Sequence, residues 1–303
     1  MNPKPPKRRI NGVLLLDKPV GISSNAALQR ARWLYRAEKA GHTGVLDPLA
    51  SGLLPVCFGE AAKFAQYLLD ADKAYTAALR FGAATATGDA EGEIVATARS
   101  NIDRAEFQAA CAALTGRIRQ VPPMFSALKH QGKPLYEYAR QGIVIERKAR
   151  EIEIYQIDIQ EFSPPDAVIG VHCGKGTYIR TLAEDLAKQT DTFAYLTALR
   201  RTATAGFSVR QAYTLDALAA LDETARDALL LPCDALVAHL PRIDVDDTAA
   251  DDLRCGRLAV WTGAAPPHTP LRTYDTAGRF VGLAAYAPER GCLKAVRLMS
   301  ANG

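Results

Sequence analysis

The first apolar run of the chain, VLLLD at residues 13–17, is unbroken up to its aspartate, the pattern of a short buried strand. KPVGISS follows, in which Pro19 and Gly21 suit a turn and Ser23 or Ser24 suits a helix N-cap. Over residues 25–36 the period lengthens. Ala26, Leu28, Ala31 and Leu34 mark the apolar side of a helix, and Arg30, Arg32 and Arg36 make its outer face basic. Helical spacing returns over 60–69 through Ala62, Phe64, Ala65, Leu68 and Leu69. Tyr75, Ala77, Leu79 and Phe81 alternate strictly, predicting a strand that ends at Gly82, with the polar turn ATATGDAEGE beyond it. An alanine-rich helix is expected over 103–114. Within 152–162 the alternation Ile152/Ile154 slips phase before Ile157/Ile159, which predicts a β-bulge. AVIGVHC (167–173) reads as the antiparallel partner across a proline turn. GKGTYIR reads as extended, followed by a short helix TLAEDLAKQ, and LRRTATAGFSVR reads as a basic, glycine-punctuated segment. Pro232 and Pro241 bracket a change of texture. Short strand-like runs after it predict a small all-β domain.

Composition adds limits to this picture. In 303 residues, 48% hydrophobic and 23% charged, a sizeable core is available. No apolar run approaches the ~18 residues of a membrane span. The basic, proline-rich start MNPKPPKRRI is followed by no long apolar region, so it is not read as a secretory signal. Cys57, Cys111, Cys173, Cys233, Cys255 and Cys292 are dispersed, without CxxC or CxxH spacing. They read as reduced, mostly buried thiols rather than zinc ligands. The net charge of +4 is supplied by Lys4, Lys7, Arg8 and Arg9 alone, in a flexible basic arm over residues 1–9. Clustering, not net charge, must therefore argue for nucleic acid.

One such cluster spans 123–151. It carries Lys129, Lys133, Arg140, Arg147, Lys148 and Arg150 against Glu137, Glu146 and Glu151, with Phe125, Tyr136 and Tyr138 interleaved. Cations with aromatics suit phosphates and unpaired bases, and they also suit an ordinary charged surface insertion. The stretch GHTGVLDPLASG (41–52) carries a different signal. Asp47 before Pro48 fits a helix N-cap followed by proline at the first helical position, and equally a loop carboxylate with a chemical task; on this stretch alone the cap is preferred. Gly41, Gly44 and Gly52 permit close approach of another backbone or a ligand. His42 is open to three readings: ligand, base, or a satisfied loop histidine. Tyr178 and Arg180, two apart in an extended stretch, would share a side, either as a stacking and charge site or as a solvated edge. Tyr75 reads as core. GKGT lacks the Walker spacing, and no GxGxxG, HExxH or GxSxG occurs.

Taken in order, NGVLLLDKPVGISSN, AGHTGVLDPLASGLLPVCFGEAAKF, DKAYTAALRFG, PPMFSALKHQGKPLYEYARQG, CGKGTYIRTLAEDLA and LRRTATAGFSV closely resemble the bacterial TruB-type tRNA pseudouridine synthases. The resemblance runs from about Asn11 to about Arg210 and is weaker in the tail. It implies an α+β pseudouridine synthase fold over 10–238, a mixed, largely antiparallel central sheet flanked by helices. An RNA-binding insertion at about 123–151 and a small PUA-like β-barrel over 239–303 complete the expected architecture. The implied activity is isomerisation of uridine to pseudouridine at position 55 in the T loop of tRNA, without metal or cofactor. The base is flipped out, the C1′–N1 bond is cleaved, and the base rejoins through C5.

By the same resemblance Asp47 becomes the catalytic carboxylate, as nucleophile or base, which reverses the preference for a cap. Arg180 becomes its cationic partner and Tyr75 the stacking residue. His42, Tyr178, Leu199, Lys18, Pro19 and Lys129 become substrate-binding residues. The implied partner is the tRNA T stem-loop, with no guide RNA and no membrane, and the expected enzyme is a cytoplasmic monomer. Phe193 and Tyr195 depart from the family's usual glycine and histidine, and Ala86 from a common aspartate. Two rivals stand beside this reading. A non-enzymatic RNA-binding protein is opposed by the presence of Asp47, Tyr75 and Arg180 together, and the same chemistry on another RNA is opposed by the intact insertion.

Overall fold

The computed structural model describes residues 6–300. Ten strands form one sheet: β1 (Gly12–Lys18), β2 (Ala40–His42), β3 (Ala50–Phe58), β4 (Lys73–Phe81), β5 (Gly116–Gln120), β6 (Arg150–Ser163), β7 (Asp166–Cys173), β8 (Ala194–Thr204), β9 (Phe207–Ser208) and β10 (Tyr213–Thr214). Across the sheet the order is β10-β1-β3-β8-β4-β7-β6-β5, with β2 paired to β3 and β9 to β8. The β1–β10 and β3–β8 pairs are parallel and the other pairings antiparallel, so the sheet is mixed and largely antiparallel as expected.

The unbroken apolar run of β1 is explained by burial on both faces. Leu14 and Leu16 enter the main core, while Val13 and Leu15 enter a second one with Phe64, Leu236 and Leu283. Three helices pack against the core: α1 (Ser24–Leu34), α2 (Arg104–Ala113) and α3 (Ile179–Gln189). Ser23 caps α1 by accepting from Ala26 N at 3.1 Å, and Ala27, Leu28 and Ala31 are buried. Asp103 and Glu106 close a capping box on α2. The phase slip in β6 is a bulge between Ile154 and Gln156, and a second lies between Ile159 and Glu161. The helical spacing at 60–69 is realised as two 3₁₀ turns, Gly59–Lys63 and Ala65–Leu68.

Two expectations are corrected. Residues 194–204, read partly as a basic segment, form the central strand β8 between β3 and β4. Its arginines disguise it: Arg200 pairs with Asp17 at 2.6 Å, and Arg201 is buried. GKGTYIR is not extended throughout, because α3 begins at Ile179 and places Tyr178 at the N-cap and Arg180 in the first turn.

Beyond Pro241, a five-stranded sheet runs in the order Arg242–Asp244, Pro270–Tyr274, Phe280–Ala287, Cys292–Leu298, Ala259–Val260. Helix Asp247–Arg254 packs on it around Leu253, Leu271, Val281 and Leu293, a curled half-barrel compatible with a PUA-like fold. Leu283 reaches the core behind β1, joining this unit to the larger sheet. Of the basic arm, residues 1–5 lie outside the described residues. Arg8 is tied down, donating to Asp227 and pairing with Glu223 at 3.3 Å. No described helix is long and apolar enough to cross a membrane.

Candidate active site

Strand register builds one wall. β8 lies antiparallel to β4 with Arg201 opposite Tyr75 and Leu199 opposite Ala77. Period-2 geometry puts Leu199 and Arg201 on one face of β8. Parallel pairing with β3 sets Gly52 opposite Arg201. Gly52 has φ +101°, and a Cβ there would lie 2.3 Å from Arg201 O, so only glycine lets the strands meet here.

The loop between β2 and β3 crosses the end of this wall. Ser24 Oγ accepts from Leu46 N at 2.7 Å and donates to Leu46 O at 3.0 Å, fixing the residue before Asp47. Gly21 N donates to Pro48 O at 2.8 Å on the other side. No helix follows Asp47, which corrects the cap reading; its carboxylate faces a cavity instead. Opposite stands the start of α3. Gln120, buried at the end of β5, accepts from Tyr178 N (2.8 Å) and donates to Tyr178 O (3.2 Å). Arg180 then projects from the first turn with its side chain only 6% exposed.

Arg180 Nη2 lies 3.0 Å from Asp47 Oδ2 and donates to Phe125 O at 2.6 Å; Nη1 donates to Thr87 O at 2.8 Å. Asp89, itself buried, approaches Arg180 Nε at 3.8 Å and accepts from Thr87 Oγ1 and Glu91 N. The guanidinium is thus held from four directions and turned toward Asp47. Asp47, Tyr75, Tyr178, Arg180, Leu199 and Arg201 surround a cavity of about 330 Å³. Asp47 keeps 39% of its side chain exposed. Desolvation pushes its carboxyl above the ordinary carboxylate range, and Arg180 pulls in the opposite direction. Burial pushes the Tyr75 phenol up, with Arg201 opposing.

The other residues singled out in the sequence lie around this cavity rather than in its wall. Lys18 is fully buried and donates to Pro19 O (2.9 Å) and Ile22 O (2.6 Å), bracing the turn that holds Pro48. Burial lowers its pKa to about 8, with Asp47 acting against the shift. Pro19 is exposed. His42 sits on β2 with its buried Nδ1 unpartnered among the described residues, and burial and Arg201 lower its pKa. Lys129 is exposed on a two-stranded hairpin of the insertion, Lys129–His130 with Lys133–Pro134.

This geometry can be set beside known proteins. The family model "TruB family pseudouridylate synthase (N terminal domain)" matches residues 32–179, and that of the tRNA pseudouridylate synthase B C-terminal domain matches 180–238. The tRNA pseudouridine synthase B of Neisseria meningitidis is 69% identical over 300 residues, covering 99% of this chain and 98% of its own. The chain belongs to the TruB family of pseudouridylate synthases. The Thiobacillus denitrificans tRNA pseudouridine synthase B is 56% identical over 281 residues, 93% of this chain and 94% of its own. Among solved structures, one chain of a Cbf5–Nop10–Gar1 complex superposes with a TM-score of 0.73 at 23% identity, covering 96% of this chain and 86% of that one. That likeness concerns the fold alone.

In this TruB-family chain three site groups escaped sequence reasoning. Arg201 is 1% exposed, donates from Nε to Leu53 O (2.7 Å), and leaves Nη2 without a partner among the described residues. Asp89 lies in a segment read only as a polar turn. Lys73 lines the cavity, and burial and Arg201 lower its pKa. No clean alternation marks Arg201, since a bulge shifts the register of β8 between Leu196 and Ala198, and nothing local marks Asp89, because its role arises from contact with a distant helix.

Proposed function

We propose that this TruB-family chain isomerises uridine to pseudouridine at position 55 in the T loop of tRNA, with Asp47 as the nucleophile or base. The observation that carries the reading is the Asp47–Arg180 pair at the cavity beside Tyr75. A base inside a folded loop is out of reach of a carboxylate, so the uridine is extruded into the cavity, where the Tyr75 ring receives it. The C1′–N1 bond breaks with assistance from the Asp47 carboxylate. The base turns, a C1′–C5 bond forms, the C5 proton leaves, and N1 ends protonated. Arg180 keeps the carboxylate ionised against desolvation and aimed at the nucleotide.

Tyr178 and Leu199 complete the pocket. Lys18 and Pro19 support the catalytic loop from β1, His42 meets the T loop, and Lys129 contacts the RNA backbone from the insertion. The chain acts as a monomer without a guide RNA in this reading, and the insertion at 123–151 supplies the RNA contacts a separate partner would otherwise make. The dispersed cysteines support a reducing compartment, the cytoplasm. The decisive experiment measures tritium release from 5-labelled uracil in a T-loop transcript. Wild type is expected to release the label; Asp47→Asn is expected to release none while still binding tRNA. Substantial turnover by Asp47→Asn would remove the carboxylate from the mechanism.

A further inference from the structure

The basic outer face of α1 is not used by the cavity described above. Its C-terminal end borders a separate groove of about 680 Å³, lined by Lys7, Gln29, Arg32, Trp33, Arg36 and Arg226 among others. Trp33 is 77% exposed and joins none of the three apolar clusters, so packing does not account for it. Arg32 is held rigid, donating to Ala37 O (3.1 Å), Glu38 O (2.7 Å) and Gln29 Oε1 (3.4 Å). The acids nearby are already engaged: Glu223 and Asp227 pair with Arg8 and Arg36, and Glu38 lies 3.7 Å from Arg9. Lys7, Arg32 and Arg226 have no carboxylate partner among the described residues, so the groove keeps unbalanced positive charge beside a bare indole.

We propose that this groove binds a second, unpaired segment of the substrate RNA, outside the stem-loop whose base enters the catalytic cavity; the proposal rests on the function inferred above. Phosphates meet the cations, and a base stacks on Trp33. A flat exposed indole lining one groove with cations suits a nucleobase with its phosphate better than an acidic peptide, which offers no ring to stack. The placement suits one continuous ligand. Ser24 at the start of α1 is bonded to Leu46, next to Asp47, and eleven helical residues carry the chain about 16 Å to the groove. An RNA stem of a few base pairs covers that distance.

The test compares full-length tRNA with the isolated T stem-loop, using wild type, Trp33→Ala, Trp33→Phe and the Lys7→Ala/Arg226→Ala double variant. For full-length tRNA, Trp33→Ala is expected to weaken binding about tenfold, and Trp33→Phe to restore most of it. The double variant is expected to flatten the salt dependence. Stem-loop affinity and turnover should stay at wild-type values in every variant. In a Trp261→Phe background, Trp33 emission should be quenched by full-length tRNA and not by the stem-loop. Unchanged tRNA affinity in all variants would overturn the proposal. So would equal losses on both RNAs, or displacement of tRNA from the groove by polyglutamate with no Trp33 quenching by RNA. A wild type that turns over neither RNA would overturn the functional reading instead, since the groove is judged on binding alone.

Discussion

At the scale of single residues, a partly exposed carboxylate and a sealed guanidinium set the working pH of the cavity. Asp47 must be ionised to attack or to take a proton, and desolvation raises its pKa. Turnover should therefore fall as pH drops through that raised value. Arg180→Met removes the group that opposes the shift, so the acid limb of the pH–rate profile should move to higher pH. Turnover at neutral pH should fall about 10²-fold or more. An unchanged acid limb would separate Arg180 from the ionisation of Asp47. Lys18 acts on the other side. Its folded pKa is depressed to about 8 from 10.5, so it loses its charge first in the folded state. Between those values the unfolded chain binds more protons, and Lys18's contribution to stability rises with pH. Lys18→Met should therefore remove this rise in stability between about pH 8 and 10.5, read by urea denaturation at several pH values.

Among elements, the site depends on where β3, β8 and α3 meet. Gly52→Ala would force a Cβ into Arg201 O at a backbone φ of +101°. It should cost roughly 2–4 kcal/mol of stability, read by urea denaturation, and a cost near zero would show that β8 shifts freely. This crossing also explains what the sequence made legible. The two strands flanking it announce themselves, β4 by alternation and β1 by an unbroken apolar run, as does β6 farther out by the phase slip that becomes its bulge. β8 did not, because Arg200 and Arg201 give a central strand the appearance of a basic loop; one is paired with Asp17 and the other buried with its Nε on Leu53 O. Arg180 was legible with Tyr178 as a candidate charge site, and only the resemblance paired it with Asp47. Its local reading as extended failed because the helix start at Ile179 depends on Gln120, a residue of another strand, holding Tyr178 by both backbone polar groups. Asp89 was invisible for the same reason. Local pattern reports propensity and burial, whereas closure of the site depends on tertiary hydrogen bonds that no segment encodes alone.

For the whole molecule, the question is how RNA bound at the periphery reaches the chemistry. The insertion leaves the sheet after β5, and its root is bonded to the site, since Phe125 O accepts from Arg180. Its hairpin turns through Gln131 and Gly132, at φ +49° and +83°, and presents Lys129 and Lys133 to solvent. The cations that would grip phosphates therefore extend from the segment whose base fixes the catalytic arginine. If each lysine neutralises one phosphate, replacing both with alanine should lower the slope of log K against log salt by about 1.5. Binding should weaken most at low ionic strength and converge toward wild type as salt rises, because screening removes the contribution the lysines made. Single-turnover rates at saturating enzyme should stay near wild type, since Phe125 O and its bond to Arg180 are untouched. Coincident binding curves at every salt concentration would detach the hairpin from the RNA. A fall in the saturated rate would show instead that the lysines act on the cavity through the insertion's root, making RNA capture and alignment of Arg180 a single event.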